Sequence, residues 1–211
     1  MNGPLRTVSD WRNFSPTLDL DPVLGAAADS FVTLGYHGTT MREIARRADL
    51  SVPGLYHHYP SKQNMLVAVL DATMADLRWR VNAADAEGGE DPVLRLELLV
   101  RSLVLYHCHR KGLGLIASSE MRSLEPASRR RIAAQRTEVQ RMVDTAVLDG
   151  AARGLFRTRY PLDSSRALVT MAIAVANWFQ MALPLTPEDV AERYVEYALS
   201  VVRHREPAER R

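Results

Sequence analysis

The chain has 211 residues, of which 46% are hydrophobic and 25% are charged, a balance that excludes a wholly disordered or collagen-like protein. Its single cysteine, Cys108, excludes an internal disulfide framework and a multi-cysteine zinc site, and it is typical of a reducing compartment. Lysine and arginine number 27 against 25 acidic residues, so any binding to nucleic acid must come from a local patch.

Residues 1–20 are predicted to form a flexible tail, because they contain two prolines and no sustained apolar period. They also lack the continuous apolar run of a signal peptide. Residues 167–187 carry no charge, but they are rich in alanine and interrupted by polar side chains, which favours a buried helix over a membrane span. We therefore expect a cytoplasmic protein with no membrane partner.

From residue 21 onward the spacing of apolar residues is helical, and no alternating strand pattern is visible. The first helix is predicted to begin at Asp21 and to end at Gly35. Two short helices follow, with Thr40 and Ser51 as their caps. The fourth helix is predicted to run from Lys62 to about residue 86.

Capping residues, prolines and glycines predict further helices over residues 91–111, 115–124, 125–153, 163–183 and 187–205. The expected fold is therefore all-α. A three-helix DNA-binding domain with a helix-turn-helix is predicted at residues 21–66. A six-helix bundle for ligand binding and dimerisation is predicted at residues 67–211.

Residues 39–62 read as two short helices joined by a tight turn, which is the pattern of a helix-turn-helix. The second helix of this motif enters the major groove of DNA with its first turn on the base edges. Small residues form that first turn here, at Val52, Pro53 and Gly54. The helix starts at Thr40, Ser51 and Lys62 are candidate phosphate anchors, since helix N-termini attract anions. Polar tips that could reach DNA follow at Tyr56, His57 and His58.

The same segment resembles the DNA-binding domain of TetR-family transcriptional regulators. The resemblance rests on T-T-x-R-E-I-A, on G-L-Y-x-H-Y and on P-S-K at the start of the next helix. One departure is Asp49, which stands where the family's turn usually carries glycine, but aspartate tolerates the left-handed conformation. The resemblance implies an all-helical homodimer with an effector pocket, phosphate contacts from Thr40, Tyr56 and Lys62, and a guanine contact from Arg42. It also leaves open that Arg6 and Arg12 of the tail reach the minor groove.

The C-terminal part is similar, more loosely, to a TetR subgroup that regulates sterol and fatty-acid catabolism. The similarity rests on residues 120–132, on G-x-F-R from residue 154 and on N-W-F-Q from residue 177. It implies a small hydrophobic effector, with acyl-CoA thioesters as one candidate class. The candidate pocket residues, for each of which a plain core position is the alternative, are Leu103, Tyr106, His107, Met121, Met142, Met171, Asn177 and Trp178.

Two-fold symmetry suits the reading of paired half-sites in an operator, so a homodimer on a palindromic DNA duplex is expected. Apolar residues at helical spacing on the last two helices predict an intersubunit four-helix seam, and the alternative is the core of the single subunit. The predicted seam consists of Leu168, Ala172, Val175, Phe179, Val190, Tyr194, Ala198 and Val201.

No catalytic triad and no glycine-rich phosphate loop can be recognised, so we expect neither an enzyme nor a cofactor. His107 and His109 stand two residues apart on a predicted helix and cannot share a metal ion. The run of arginines at residues 129–131 is typical of a solvated helix face. The alternatives are a second DNA site or, if the ligand is an acyl-CoA, contacts to its phosphates. Two rival functions stay open: a constitutive DNA-binding protein without an effector, and a helical small-molecule carrier.

Overall fold

The computed structural model describes residues 11–15, 17–182 and 184–204. Within these ranges the chain is helical and contains no strand, so the all-α prediction is confirmed. A 3₁₀ turn at Glu120–Ser123 lies between α6 and α7. The helices are α1 (Pro22–Gly38), α2 (Met41–Arg47), α3 (Val52–His58), α4 (Lys62–Gly88), α5 (Pro92–His109), α6 (Lys111–Ser119), α7 (Pro126–Ala152), α8 (Pro161–Trp178) and α9 (Pro187–Val201).

Local capping chemistry begins α1, α3 and α9 where the sequence predicts, whereas α6 and α8 begin a few residues earlier than predicted and without a side-chain cap. The Asp21 carboxylate accepts hydrogen bonds from the first amides of α1, and the Ser51 hydroxyl accepts one from Gly54. Thr186 and Asp189 form a reciprocal capping box at α9. The end of α1 differs slightly from the prediction, since Gly35, at φ +73°, kinks the helix and one further turn follows it.

The described residues group into two compact units. The helix-turn-helix unit contains residues 15–77 and 110–136, and the bundle unit contains residues 11–14, 78–109 and 137–204. This grouping differs from the predicted boundary at residue 66. It differs because α4 and α7 are each 27 residues, or about 40 Å, long and contribute to both units.

Each unit has its own apolar core. In the helix-turn-helix unit, α1 packs against α2 and α6, and α2 packs against α3, around Phe31, Ile44 and Leu55. In the bundle unit, α5 packs against both α8 and α9. The side chains that α5 contributes to that core include Leu96 and Leu99, both fully buried. α5 is therefore the central helix of the bundle unit.

The flexible tail is not observed where the structure describes it. Trp11 is fully buried in the bundle unit, and its indole N–H donates to Glu87 at 2.6 Å. Arg12 is exposed and forms a bidentate pair with the same carboxylate. The Arg80 guanidinium donates to the Trp11 carbonyl at 2.6 Å and lies over the ring of Phe14 at 3.7 Å. The prediction is therefore wrong for residues 11–14. Residues 1–10, with Arg6 among them, lie outside the described residues.

Most of the predicted dimer seam is buried within the single subunit. Six of its members face inward because the apolar stripes of α8 and α9 cover α5 of the same subunit. This is the alternative that the sequence left open, the core of the single subunit. Tyr194 and Val201 are half-buried, and the six fully or almost fully buried members are Leu168, Ala172, Val175, Phe179, Val190 and Ala198.

Candidate nucleic-acid interface

Two buried side chains fix the geometry of the helix-turn-helix. Ile44 on α2 and Leu55 on α3 are both fully buried, so the opposite faces of these helices point to solvent. The turn between them contains Asp49 at φ +55°, as the sequence predicts. The amide of Leu50 returns to the carbonyl of Ala45 at 2.9 Å and closes the turn. Two short helices are thereby held at a fixed angle by a core of few residues.

The exposed surface at the first turn of α3 is formed by small side chains. Ser51 and Pro53 are exposed, and Val52 and Gly54 are half-exposed. A Cβ atom on Gly54 would lie 3.1 Å from the Ser51 hydroxyl, which caps the helix through the Gly54 amide. Glycine at this position therefore leaves room for the cap and lets the backbone approach a ligand closely.

Polar side chains continue this surface along α3 and onto α2. Tyr56, His57 and His58 are all exposed, and the two imidazole rings meet edge to face. Thr40 is exposed and caps α2 by accepting a hydrogen bond from Glu43. The ten predicted DNA-contacting residues all lie in one structural unit, and none of them is fully buried.

The charges on α2 are mostly neutralised within the helix. The Glu43 carboxylate pairs with Arg46 and Arg47, and hydrogen bonds from these two guanidinium groups lower the pKa of Glu43 to about 2. Arg42 is exposed and makes no hydrogen bond or ion pair within the described part of the chain. Arg42 is therefore the cation of α2 that is available to DNA without first breaking an internal contact.

Lys62 is placed differently from the prediction. Its ammonium group donates to the carbonyls of Tyr36 and Thr39, both at 2.7 Å, and lies 4.4 Å from the centre of the Tyr36 ring. Burial lowers the pKa of this ammonium group. The Tyr36 hydroxyl lies 2.9 Å from the side-chain amide of Gln63. The sequence gives no signal for these partners, which stand 23 to 27 residues away along the chain.

A tyrosine that the sequence reasoning missed ties α1 to the end of α3. The Tyr59 hydroxyl donates to Asp21 at 2.7 Å, and burial together with this hydrogen bond raises the pKa of Tyr59 to about 12. Asp21 thus both caps α1 and anchors the residue after α3. A groove of about 430 Å³ lies beside this contact and is lined by Asp21, Pro22, Val23, Ala48, Leu50, His58 and Tyr59.

The predicted effector-pocket residues belong to both units. Leu103, Tyr106 and His107 are buried on α5, and the His107 ring nitrogen Nδ1 donates to the Leu103 carbonyl at 2.7 Å. Met142 and Met171 are half-buried in the bundle unit, whereas Met121 belongs to the helix-turn-helix unit.

Asn177 and Trp178 are both exposed on the single subunit. The reason is that α8 ends at Trp178, and the next residue, Phe179, takes the buried position instead. A pocket role for these two side chains stays a prediction.

His107 and His109 have separate surroundings. The ring of His109 stacks on Phe14 with 4.5 Å between ring centres, while His107 is bonded to its own helix. In the ranges that the structure describes, no three histidine, cysteine or acidic side chains come together as a metal site. No helix within those ranges is long and apolar enough to cross a membrane.

A helix-turn-helix with a small-residue recognition surface, carried on an all-helical chain, defines a DNA-binding regulator. Two family models match the chain. The model for bacterial regulatory proteins of the tetR family matches residues 23–69, and the model for the tetracyclin repressor-like C-terminal domain matches residues 89–202. The chain belongs to the TetR family.

Relatives of known name agree with this assignment. The HTH-type transcriptional repressor KstR2 of Mycolicibacterium smegmatis is 27% identical over 87% of this chain and 90% of its own length. A tetR-family regulatory protein from Rhodococcus RHA1 has a structure that matches with a TM-score of 0.82 and 29% identity, over 88% of this chain and 97% of that one. The structure of AibR, in complex with isovaleryl coenzyme A and operator DNA, matches with a TM-score of 0.76 and 26% identity, over 83% and 95%.

Proposed function

We propose that this chain is a transcriptional repressor that binds a palindromic operator as a homodimer and is released by a hydrophobic effector. The observation that supports it most directly is the exposed first turn of α3, with Ser51, Val52, Pro53 and Gly54 on a scaffold fixed by Ile44 and Leu55. Thr40, Arg42, Tyr56, His57 and His58 extend the proposed DNA surface around that turn. Repression is proposed because the relatives named KstR2 are repressors.

Operator binding is tested by selection from a random library of 40-base-pair duplexes, followed by fluorescence anisotropy on the selected sequence. We expect a palindrome and two protomers for each duplex. A matched pair of variants gives the control: Arg42→Ala removes an unpaired cation on α2, and Arg130→Ala removes an exposed cation on α7. Only Arg42→Ala is expected to weaken binding. Enrichment of no sequence would contradict the proposal.

The homodimer is proposed to form through the outer face of α9 and the C-terminal end of α8 with the turn after it, rather than through the buried residues that the sequence indicated. Trp178 is 42% exposed, Met181 is 68% exposed and Tyr197 is 48% exposed, which is unusual for side chains of this size. A second copy related by a two-fold axis would cover such a surface. Light scattering coupled to gel filtration tests this: Tyr197→Glu should give a monomer, whereas Tyr160→Glu, at an equally exposed site before α8, should stay dimeric.

An acyl-CoA thioester is proposed as the effector class. The support is the likeness to AibR, whose solved complex contains isovaleryl coenzyme A. An effector must favour the form that binds DNA poorly, and a coupling free energy of about 1–3 kcal/mol changes operator affinity about 5- to 150-fold. Native mass spectrometry of the purified protein first shows whether it carries a bound small molecule. Fluorescence anisotropy then measures operator affinity in the presence of isovaleryl coenzyme A, free coenzyme A or isovalerate. If several acyl-CoA thioesters are tested and none of them weakens the operator complex, this effector class is contradicted.

A further inference from the structure

The connection between α1 and α2 is a rigid turn that is held from α4. The amide of Thr39 returns to the carbonyls of Gly35 and Tyr36, and the buried Thr39 hydroxyl donates to the carbonyls of Ser30 and Gly35. Two carbonyls of this turn, those of Tyr36 and Thr39, point to the Lys62 ammonium group instead of to solvent. The Lys62 cation therefore adds two hydrogen bonds from α4 to a turn that Thr39 already closes.

The ammonium group of Lys62 is occupied within the protein. A lysine has three N–H donors, and two of those on Lys62 are used by carbonyls at 2.7 Å. The face of the Tyr36 ring covers a third side of the cation at 4.4 Å. One N–H donor of Lys62 is left, so the two bonds to carbonyls limit how far the ammonium group can move toward a DNA phosphate.

The Thr39 carbonyl belongs to the same planar peptide group as the Thr40 amide. In a trans peptide the carbonyl and the N–H point in opposite directions. The hydrogen bond from Lys62 to the Thr39 carbonyl therefore directs the Thr40 N–H away from α4. A cation on the carbonyl also makes the N–H of the same peptide a stronger donor, because hydrogen bonds in a chain polarise one another. Thr40 is exposed at this point.

We propose that Lys62 is a positioning residue for operator binding: it orients the Thr39–Thr40 peptide so that Thr40 meets the DNA backbone, and it makes no phosphate contact itself. This inference rests on the operator binding proposed above. It replaces the role that the family resemblance implies for Lys62, and it moves the phosphate contact from the α4 side chain to the start of α2.

The dependence of operator affinity on salt separates the two roles. Each phosphate contact from a cation contributes about 0.9 to the slope of log K against log salt concentration. Lys62→Met keeps the length of the side chain but removes its donors. We expect Lys62→Met to weaken binding about 10-fold with a slope within about 0.3 of the wild type, whereas loss of a phosphate contact would lower the slope by about one.

Hydrogen exchange distinguishes a local effect from general destabilisation in Lys62→Met. Faster exchange in peptides that cover residues 36–41, with unchanged exchange over residues 52–58, is the expected result. Equal acceleration in both segments would overturn the positioning role. A slope lowered by about one, or unchanged operator affinity, would overturn it as well.

The wild-type protein provides a test that needs no variant. Lys62 and Lys111 are the two lysines of the sequence, so brief acetylation followed by mass spectrometry reports on each of them separately. We expect Lys62 to react slowly in the free protein, and operator DNA to change its rate less than twofold. Fast labelling that becomes slow only on DNA would identify Lys62 as a phosphate contact and overturn the inference. A wild-type protein that binds no selected duplex would instead refute the proposed function.

Discussion

The buried tryptophan near the N-terminus should contribute strongly to the stability of the bundle unit. A tryptophan of this kind buries about 150–250 Å², which at about 25 cal/mol per Å² corresponds to about 4–6 kcal/mol before ordering costs. Trp11→Ala also removes the N–H that bonds Glu87 at 2.6 Å. We therefore expect the free energy of unfolding to fall by about 3–5 kcal/mol, measured by urea denaturation with far-ultraviolet circular dichroism.

Trp11→Phe is the control that separates packing from hydrogen bonding. It keeps most of the apolar surface but loses the indole donor, while Glu87 retains its bidentate pair with Arg12. A loss of about 1–1.5 kcal/mol is expected for this variant. A loss below 1 kcal/mol for Trp11→Ala would refute the reasoning, since it would mean that residues 11–14 are not anchored to the bundle unit in solution.

Three further predictions concern other parts of the chain. A Cβ atom on Gly150 would lie 2.2 Å from the ring of the buried Phe156, so Gly150→Ala should lower the free energy of unfolding by about 1–3 kcal/mol in the same denaturation assay; an unchanged midpoint would show that the ring can move aside. Tyr56→Phe removes an exposed hydroxyl and should weaken operator binding in the anisotropy assay with little change in stability; equal affinity would remove Tyr56 from the interface. Burial raises the pKa of the Cys108 thiol to about 12, so the thiol stays protonated at pH 8 and iodoacetamide should label it only after unfolding; rapid labelling of the native protein would contradict its burial.

The features that the sequence predicted well depend on neighbouring residues. Helix starts at Asp21, Thr40 and Ser51 follow from a side-chain oxygen and an amide two or three positions later, and each is found in the structure. The left-handed turn at Asp49 is of the same kind, because it depends on one residue type. Caps and turns of this kind involve only residues that are close in the sequence, so the sequence alone predicts them.

The features that it predicted poorly depend on partners far along the chain. Trp11 and Glu87 are 76 residues apart, and an isolated aromatic residue gives no periodic signal that it will be buried. Lys62 is expected at the surface by its type, and only the fold shows that the carbonyls of Tyr36 and Thr39 surround it. The stripe on α8 is apolar whether α5 or a second subunit covers it, so periodicity identifies a buried face without identifying its neighbour.

The carboxylate of Glu43 lowers the affinity of α2 for DNA of arbitrary sequence. An ordinary cation on a DNA-binding surface gains free energy when mobile salt ions are released from the duplex. Arg46 and Arg47 already share a counter-ion that is covalently part of the chain and stays ionised down to a pH of about 2. A phosphate that approaches them must compete with this fixed charge, so together they attract an arbitrary stretch of DNA less than two unpaired arginines would. On the proposed DNA surface, this acid acts against nonspecific binding, and discrimination between sequences falls to Arg42 and the uncharged first turn of α3.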